Sequence, residues 1–338
     1  METLDLMKEF LINNNVHIHN IDDKRNYWFV RTDGGNYFDA YISGSYVALG
    51  WNDVPLTEAD EKGNYPEDLL KEIEAKGNKQ PTRVLNQINR FYHEMKKGDV
   101  VVIPSTASLN LAFGYIAEDD VYEETNITKD DIENGACPYQ RRRKVDWMVN
   151  IDKARIDPHL YALFRNHQVI SYGNNYAEYI DRALHTLYIK NNVAHLTFTV
   201  EAKQNPKALS IPTFIFGLMA RTDELAKEIN LFDDGKSVGE KITTKINVQS
   251  PGVIEFLGDI PGVIALAIVS VGLFGGNAKF EHTKEKTSGE VSTEGLAGAV
   301  IKILKILKDN NYVGDKNMLD CKNQLEIKDI TDDKNENH

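Results

Sequence analysis

Apolar and polar positions change their period several times along the chain. In residues 1–15, Leu4, Leu6, Met7, Phe10 and Leu11 recur at helical spacing beside Glu2, Asp5, Lys8 and Glu9, which predicts a short amphipathic helix. From residue 27 the pattern becomes that of strands. Residues 27–31 and 46–51 are rich in aromatic and branched side chains, and Asp33-Gly34-Gly35 between them is a turn signal. Residues 52–80 are polar, with one helix expected at 66–76, opening on Pro66. Val84, Leu85, Ile88, Phe91, Tyr92 and Met95 predict a stronger helix over 81–97, closed by Lys96, Lys97 and Gly98. Strands follow at 99–104 and 111–117, then an acidic stretch over 119–137. A basic strand then runs from Arg141 to Trp147.

The second half opens with a short helix near 176–184. Two alternating runs, 184–189 and 193–200, flank Asn191-Asn192 and predict a hairpin. Phe214, Ile215, Leu218, Met219, Leu225 and Ile229 predict a helix over 211–229, and strands are expected at 241–248 and 253–257. Ile260–Phe274 is apolar on every side, so it must be buried in the core, in a subunit interface or in lipid. It is shorter than the roughly twenty residues a bilayer core needs, so core or interface burial is favoured and membrane insertion is the alternative. Residues 293–308, opening on Thr293 and closing on Lys308, carry a stripe of Leu296, Val300, Ile303, Leu304 and Leu307 and predict a second helix packed on the first. Beyond Gly314 the chain is polar and reads as a frayed tail.

The 338 residues suffice for two domains, and 41% hydrophobic content suffices for ordinary cores. The net charge of −12 argues against an extended track on duplex DNA, because such binding needs many contacts from Lys and Arg to phosphate. A pocket for a single base or nucleotide remains compatible with it. Cys137 and Cys321 fit no metal spacing, and residues 1–15 do not form a basic-then-apolar leader. A cytoplasmic protein is therefore expected, with membrane association as the alternative. His17 and His19 suit one face of a strand. No nucleophile–His–Asp arrangement, phosphate loop or metal cluster is visible, so ligand binding is favoured over catalysis and no cofactor is expected.

One ordered set of motifs carries a resemblance. A Trp-bearing first strand, Gly50-Trp51 closing the second, a helix running into Met95-Lys96-Lys97-Gly98-Asp99-Val100-Val101 and Pro104, Gly114-Tyr115-Ile116, and Arg142 with Val145 and Trp147 follow one another. Together they resemble the PUA/EVE-like domain found in front of Mrr-type restriction and other prokaryotic defence proteins. The resemblance covers about residues 27–150. It implies a small β-barrel whose mouth holds a nucleobase, often modified, between aromatic side chains, with Trp28, Arg31, Gly50, Trp51, Ser105, Arg143 and Trp147 at or beside the site. The expected protein is α+β: an N-terminal helix at 1–20, the PUA/EVE-like ligand-binding domain at 21–175, an α+β module at 176–313 with a hairpin and an apolar helix pair, and a polar tail at 314–338. The C-terminal module faintly resembles accessory modules of bacterial immunity proteins. The implied function is an antiviral-defence sensor of a nucleobase, nucleotide or modified nucleic acid. Such a sensor would form a homo-oligomer through Ile260–Phe274 and residues 293–308, or signal at a membrane. Base stacking on an aromatic ring contributes about 1–3 kcal/mol, enough to make such a pocket selective. The alternative is a restriction-type nuclease in which Glu201 and Lys203, aided by Asp181, hold Mg²⁺ and polarise water.

Overall fold

The structure, a computed structural model, describes residues 3–202, 205–232, 234–247, 252–274 and 313–331. The chain folds as an α+β protein. It divides into two compact units, residues Lys24–Leu184 and a discontinuous unit made of Met1–Asp23 with His185–His338. The expected boundaries at 21, 175 and 313 therefore shift, and the N-terminal helix belongs with the C-terminal half.

Helix α1 (Thr3–Asn13) and strand β1 (His19–Asn20) open the chain. The continuous unit then builds one curled mixed sheet, a half-barrel, from β2 (Tyr27–Val30), β3 (Tyr46–Leu49), β4 (Val100–Pro104), β5 (Asn110–Ile116), β6 (Tyr122–Glu123), β7 (Arg141–Asp152) and β8 (Ile170–Tyr172). The order is β3-β7-β5-β4-β2-β8, with β6 added on β7. The pair β2–β4 is parallel, with Trp28 opposite Val101. Parallel neighbours need a crossover, and α2 (Phe38–Ser43), α3 (Glu67–Ala75) and α4 (Pro81–Asn89) lie along it. The aromatic run after the Asp33 turn is thus helical. Helix α4 continues into a π-turn at Arg90–Glu94.

Alternating positions explain why β2 and β4 are buried along their whole length. Trp28, Val30, Val101 and Ile103 join Val84, Leu85, Ile88 and Phe91 on one face. Tyr27, Phe29, Val100 and Val102 join Leu160, Leu163 and α6 (Ala177–Leu184) on the other. A sheet covered on both faces needs apolar residues at every position, so period-2 alternation disappears. The acidic stretch holds α5 (Lys129–Glu133), started by a capping box in which Thr128 and Asp131 exchange hydrogen bonds.

In the discontinuous unit the predicted hairpin forms. Strands β9 (Leu187–Lys190) and β10 (Val193–Val200) are antiparallel about Asn191 and Asn192, both at positive φ. The sheet is completed as β1-β9-β10-β12-β11 by β11 (Ile242–Asn247) and β12 (Gly252–Gly258), and β1 joins β9 in parallel with His19 opposite Tyr188. Helices α7 (Ser210–Glu228) and α8 (Val238–Lys241) precede β11.

Helix α9 (Ile260–Phe274) lies in the core of this unit, with Val263 to Val269 at most 2% exposed, among Met7, Leu11, Phe198, Phe214 and Phe256. Its side chains are buried in the unit's own interior, the core alternative of those the sequence left open. No helix among the described residues is long and apolar enough to cross a membrane. Residues 293–308, the second proposed interface helix, lie outside the described residues. The expected polar tail holds α10 (Val313–Gln324), and Met318, Leu325, Ile327 and Ile330 join the same core. Glu255 on β12 is fully buried, with Nδ1 of His195 2.9 Å from its Oε1, and the Tyr188 hydroxyl donates to the same oxygen at 3.3 Å.

Candidate functional site: a tyrosine rim beside Gly50

The end of β3 and the start of β7 are neighbours, since Leu49 pairs with Arg141. The loops leaving these strands therefore meet. The Asn52 side chain ties them together, donating from Nδ2 to the Pro138 carbonyl at 3.1 Å and accepting from the Gln140 N–H at 3.1 Å. Arg142 holds the same loop from below, donating to the carbonyls of Cys137 and Tyr139, both at 3.0 Å, while its guanidinium lies 4.2 Å from the Tyr46 ring centre. These contacts fix the Tyr139 ring over Gly50, where an added Cβ would stand 3.3 Å from Tyr139 Cε1. Tyr37, at the entry to α2, meets Tyr139 edge to face, with ring centres 5.1 Å apart at 71°. That geometry suits the aromatic quadrupole and leaves ring faces partly open, and both residues are only half-buried.

Asp33 completes the rim with a carboxylate. It sits exposed at φ 53° in the turn before Tyr37. Burial, with the Asp33 charge next, pushes the Tyr139 phenol up to about 12 and raises that of Tyr37 as well. Both phenols thus stay neutral donors at physiological pH. Gly35, at φ +104°, lets this turn pack on the next loop, because a Cβ there would fall 2.2 Å from the Thr106 nitrogen. Trp51 adjoins the rim in a left-handed conformation, φ 59°, unusual for so large a residue. Its indole N–H donates to Asn78 at 3.2 Å.

The residues expected at the site divide into two groups. Gly50 and Trp51 stand at or beside the rim. Trp147 is half-buried behind it, donating its indole N–H to the Tyr41 carbonyl at 2.9 Å, and Tyr41 stacks on Tyr37 with centres 6.5 Å apart. The other four are structural. Trp28 is 0% exposed and donates to Asp99 at 2.8 Å. Arg143 is also 0% exposed, its guanidinium donating to the carbonyls of Phe91, Tyr92 and Asp119. Arg31 braces the 164–166 segment through the carbonyls of Phe164 and Asn166, and Ser105 Oγ accepts from the Asn110 N–H. No ligand could reach Trp28 or Arg143 without unfolding this core, which corrects their placement at a pocket.

Tyr37, Tyr139 and Asp33 were not singled out from the sequence. Asp33 and Tyr37 lie in the Asp-Gly-Gly turn and the aromatic run behind it, a usable signal, whereas Tyr139 sits at the end of an acidic stretch with no motif around it.

Of the nuclease residues, Asp181 and Glu201 are each engaged within their own unit. Asp181 is fully buried, accepting from the Tyr27 hydroxyl at 2.6 Å and pairing with Arg25 at 2.5 Å. Glu201 belongs to the other unit and pairs with Lys328 at 3.2 Å, while Lys203 lies outside the described residues. No group of three His, Cys, Asp or Glu suited to a metal occurs among the described residues.

A second feature of the continuous unit is an open cleft of about 360 Å³ along α4, lined by Arg83, Arg90, Gln80, Gln87 and Gln168 among others.

These features define an α+β protein with an aromatic rim on a half-barrel. Residues 28–166, most of that unit, match a family described as a domain of unknown function, DUF8426. No curated protein and no solved structure matches the chain.

Proposed function

We propose that the half-barrel unit is a PUA/EVE-like recognition module that holds a nucleobase, free or in a nucleic acid, against the Tyr37–Tyr139 rim. The observation that carries this reading is the half-exposed Tyr139 ring held over Gly50, met edge to face by the half-exposed Tyr37, with the Asp33 carboxylate beside them. A flat heterocycle stacks on the ring faces, and the carboxylate accepts from an exocyclic amino group, as Asp and Glu accept from cytosine N4. The ordered motifs from Trp28 to Trp147 support the same assignment and set it in prokaryotic antiviral defence. The two free cysteines, Cys137 and Cys321, suit a cytoplasmic setting. In this reading the discontinuous unit carries the output, and the whole acts as a sensor rather than an enzyme.

The test is a titration of standard and modified nucleosides, followed by the fluorescence of Trp51 and Trp147. Tyr139→Ala should weaken binding by about 5- to 150-fold, the equivalent of losing one stacked ring at ~1–3 kcal/mol. Asp33→Asn should selectively weaken nucleosides bearing an exocyclic amino group. Absence of binding to the wild type, or unaltered binding to Tyr139→Ala, would sink the reading.

A further inference from the structure

The α4 cleft has a chemistry the tyrosine rim lacks. Arg83, Asn86, Gln87 and Arg90 follow helical i, i+3, i+4, i+7 spacing and so share one side of α4 and its π-turned end. The cleft wall contains two guanidinium groups and several amides but no carboxylate. Neither Arg83 nor Arg90 has an ion-pair partner among the described residues, in a protein whose net charge is −12. Each is oriented instead by a neutral amide: Arg83 donates to Gln80 Oε1 at 2.9 Å and Arg90 to Gln168 Oε1 at 2.7 Å. Each contact uses one of the five N–H donors a guanidinium carries. Arg90 also lies 5.2 Å over the Tyr172 ring, and Glu94, one turn on, is bound to the Tyr172 hydroxyl.

The wall is preorganised. Gln87 is 3% exposed and its Oε1 accepts from the N–H groups of Val169 and Ile170 at 2.6 and 3.1 Å, locking α4 to the strand beside it. Helix α4 has no acidic residue in its first turn and no side-chain cap, so its positive end is uncompensated next to Arg83. Arginines held in place without acidic partners favour an anion able to take bidentate hydrogen bonds, and phosphate is the common biological one. The cleft lies close in sequence to a partner of the rim. Asn78, which accepts from Trp51, lies two residues before Gln80, so one short segment joins the Trp51 indole to the cleft wall.

We propose that the Arg83–Arg90 cleft binds the phosphodiester backbone of a single-stranded nucleic acid whose base is held at the tyrosine rim. The cleft supplies affinity without reading sequence, and the rim supplies selectivity. Calling the anion a phosphodiester rests on the base-binding reading above, and the following experiment separates the two.

Fluorescence anisotropy is measured with a labelled ten-unit abasic phosphodiester oligomer across a range of salt concentrations, and free nucleosides are titrated in parallel. The abasic oligomer should bind the wild type. The Arg83→Ala, Arg90→Ala double variant should weaken it about ten-fold and lower the log–log salt slope by about 1.4, near 0.7 for each lost contact on a single strand. Nucleoside affinity should not change. Arg83→Ala alone, which removes only the bond to Gln80 at the surface, should give about half the slope change, and Arg83→Lys should restore it. That pair guards against a folding defect from losing Arg90. Failure of the oligomer to bind, or an unchanged affinity and slope in the double variant, overturns the cleft proposal even where nucleosides bind. Oligomer binding lost in the double variant while nucleosides fail to bind the wild type sustains the cleft and removes the rim.

Discussion

Trp28 donates to Asp99 Oδ2, which also accepts the Lys96 N–H at 3.0 Å, while Oδ1 accepts the Asn26 N–H at 2.9 Å. Three donors converge on one nearly buried carboxylate. Asp99→Ala strands all three and should cost about 3 kcal/mol in urea unfolding, with nucleoside affinity of the folded protein unchanged. This role was not legible in the sequence, because an indole with a buried partner 71 residues away reads the same as an indole in a ligand cage. Arg143 misleads for a related reason: the run Arg141–Lys144 looks like a solvated basic strand, yet alternation sends Arg143 inward onto main-chain carbonyls. The tyrosines give a second residue-scale expectation. Burial pushes Tyr46 and Tyr139 up to about 12, from an ordinary value of 10.0. The folded state therefore holds these protons more tightly than the unfolded chain. The associated stability is complete below pH 10 and is lost as pH rises towards 12. A spectrophotometric titration should show late-ionising phenols, with one removed in Tyr46→Phe, and the half-barrel should lose stability over that alkaline window.

Strand β7 shows how an element positions the site. Its register against β5 shifts between Phe113 and Gly114, so that Gly114 faces Trp147 and Phe113 faces Val149. A bulge of this kind re-aims side chains, and here it turns the Trp147 ring across Gly114. A Cβ at Gly114 would lie 2.7 Å from the Asp146 carbonyl oxygen and 2.9 Å from Trp147 Cε3. Gly114→Ala should therefore destabilise by about 1–3 kcal/mol and shift the tryptophan emission, as Trp147 is pushed from its bond to Tyr41. Elements whose pattern is strong and local were legible: β2, β4, β5, the β9–β10 hairpin and α7 all fall where periodicity put them. The short helix α2 was hidden because its six residues are mostly aromatic or small and too few to show a period. Helix α10 was hidden because its apolar anchors are sparse, so only packing on the core holds it. The rim itself was half legible: Gly50 and Trp51 came from the motif, and the tyrosine that covers Gly50 came from a loop with none.

At the scale of the molecule, the apolar run Ile260–Phe274 resolves into the centre of the discontinuous unit, where α1, α7, β10 and β12 surround it. Leu266 is 0% exposed, and Leu266→Ala should cost about 2–5 kcal/mol. Hydrogen exchange should report that loss in α9, β10 and β12 while the amides of β4 and β5 keep their protection. Uniform loss of protection across both sheets would contradict two separate cores. The sequence could not show that residues 1–23 belong with the second half, because β1 contributes only two residues to a parallel pairing far along the chain. That interrupted connectivity has a consequence during synthesis. The whole half-barrel, ending at Leu184, is synthesised before any of β9, β10, β12 and α9. Until they are made, Met7 and Leu11 of α1 have no core to enter. During synthesis the half-barrel can therefore close while the apolar stripe of α1 still waits for its partners, so the second unit is completed last and from both ends of the chain.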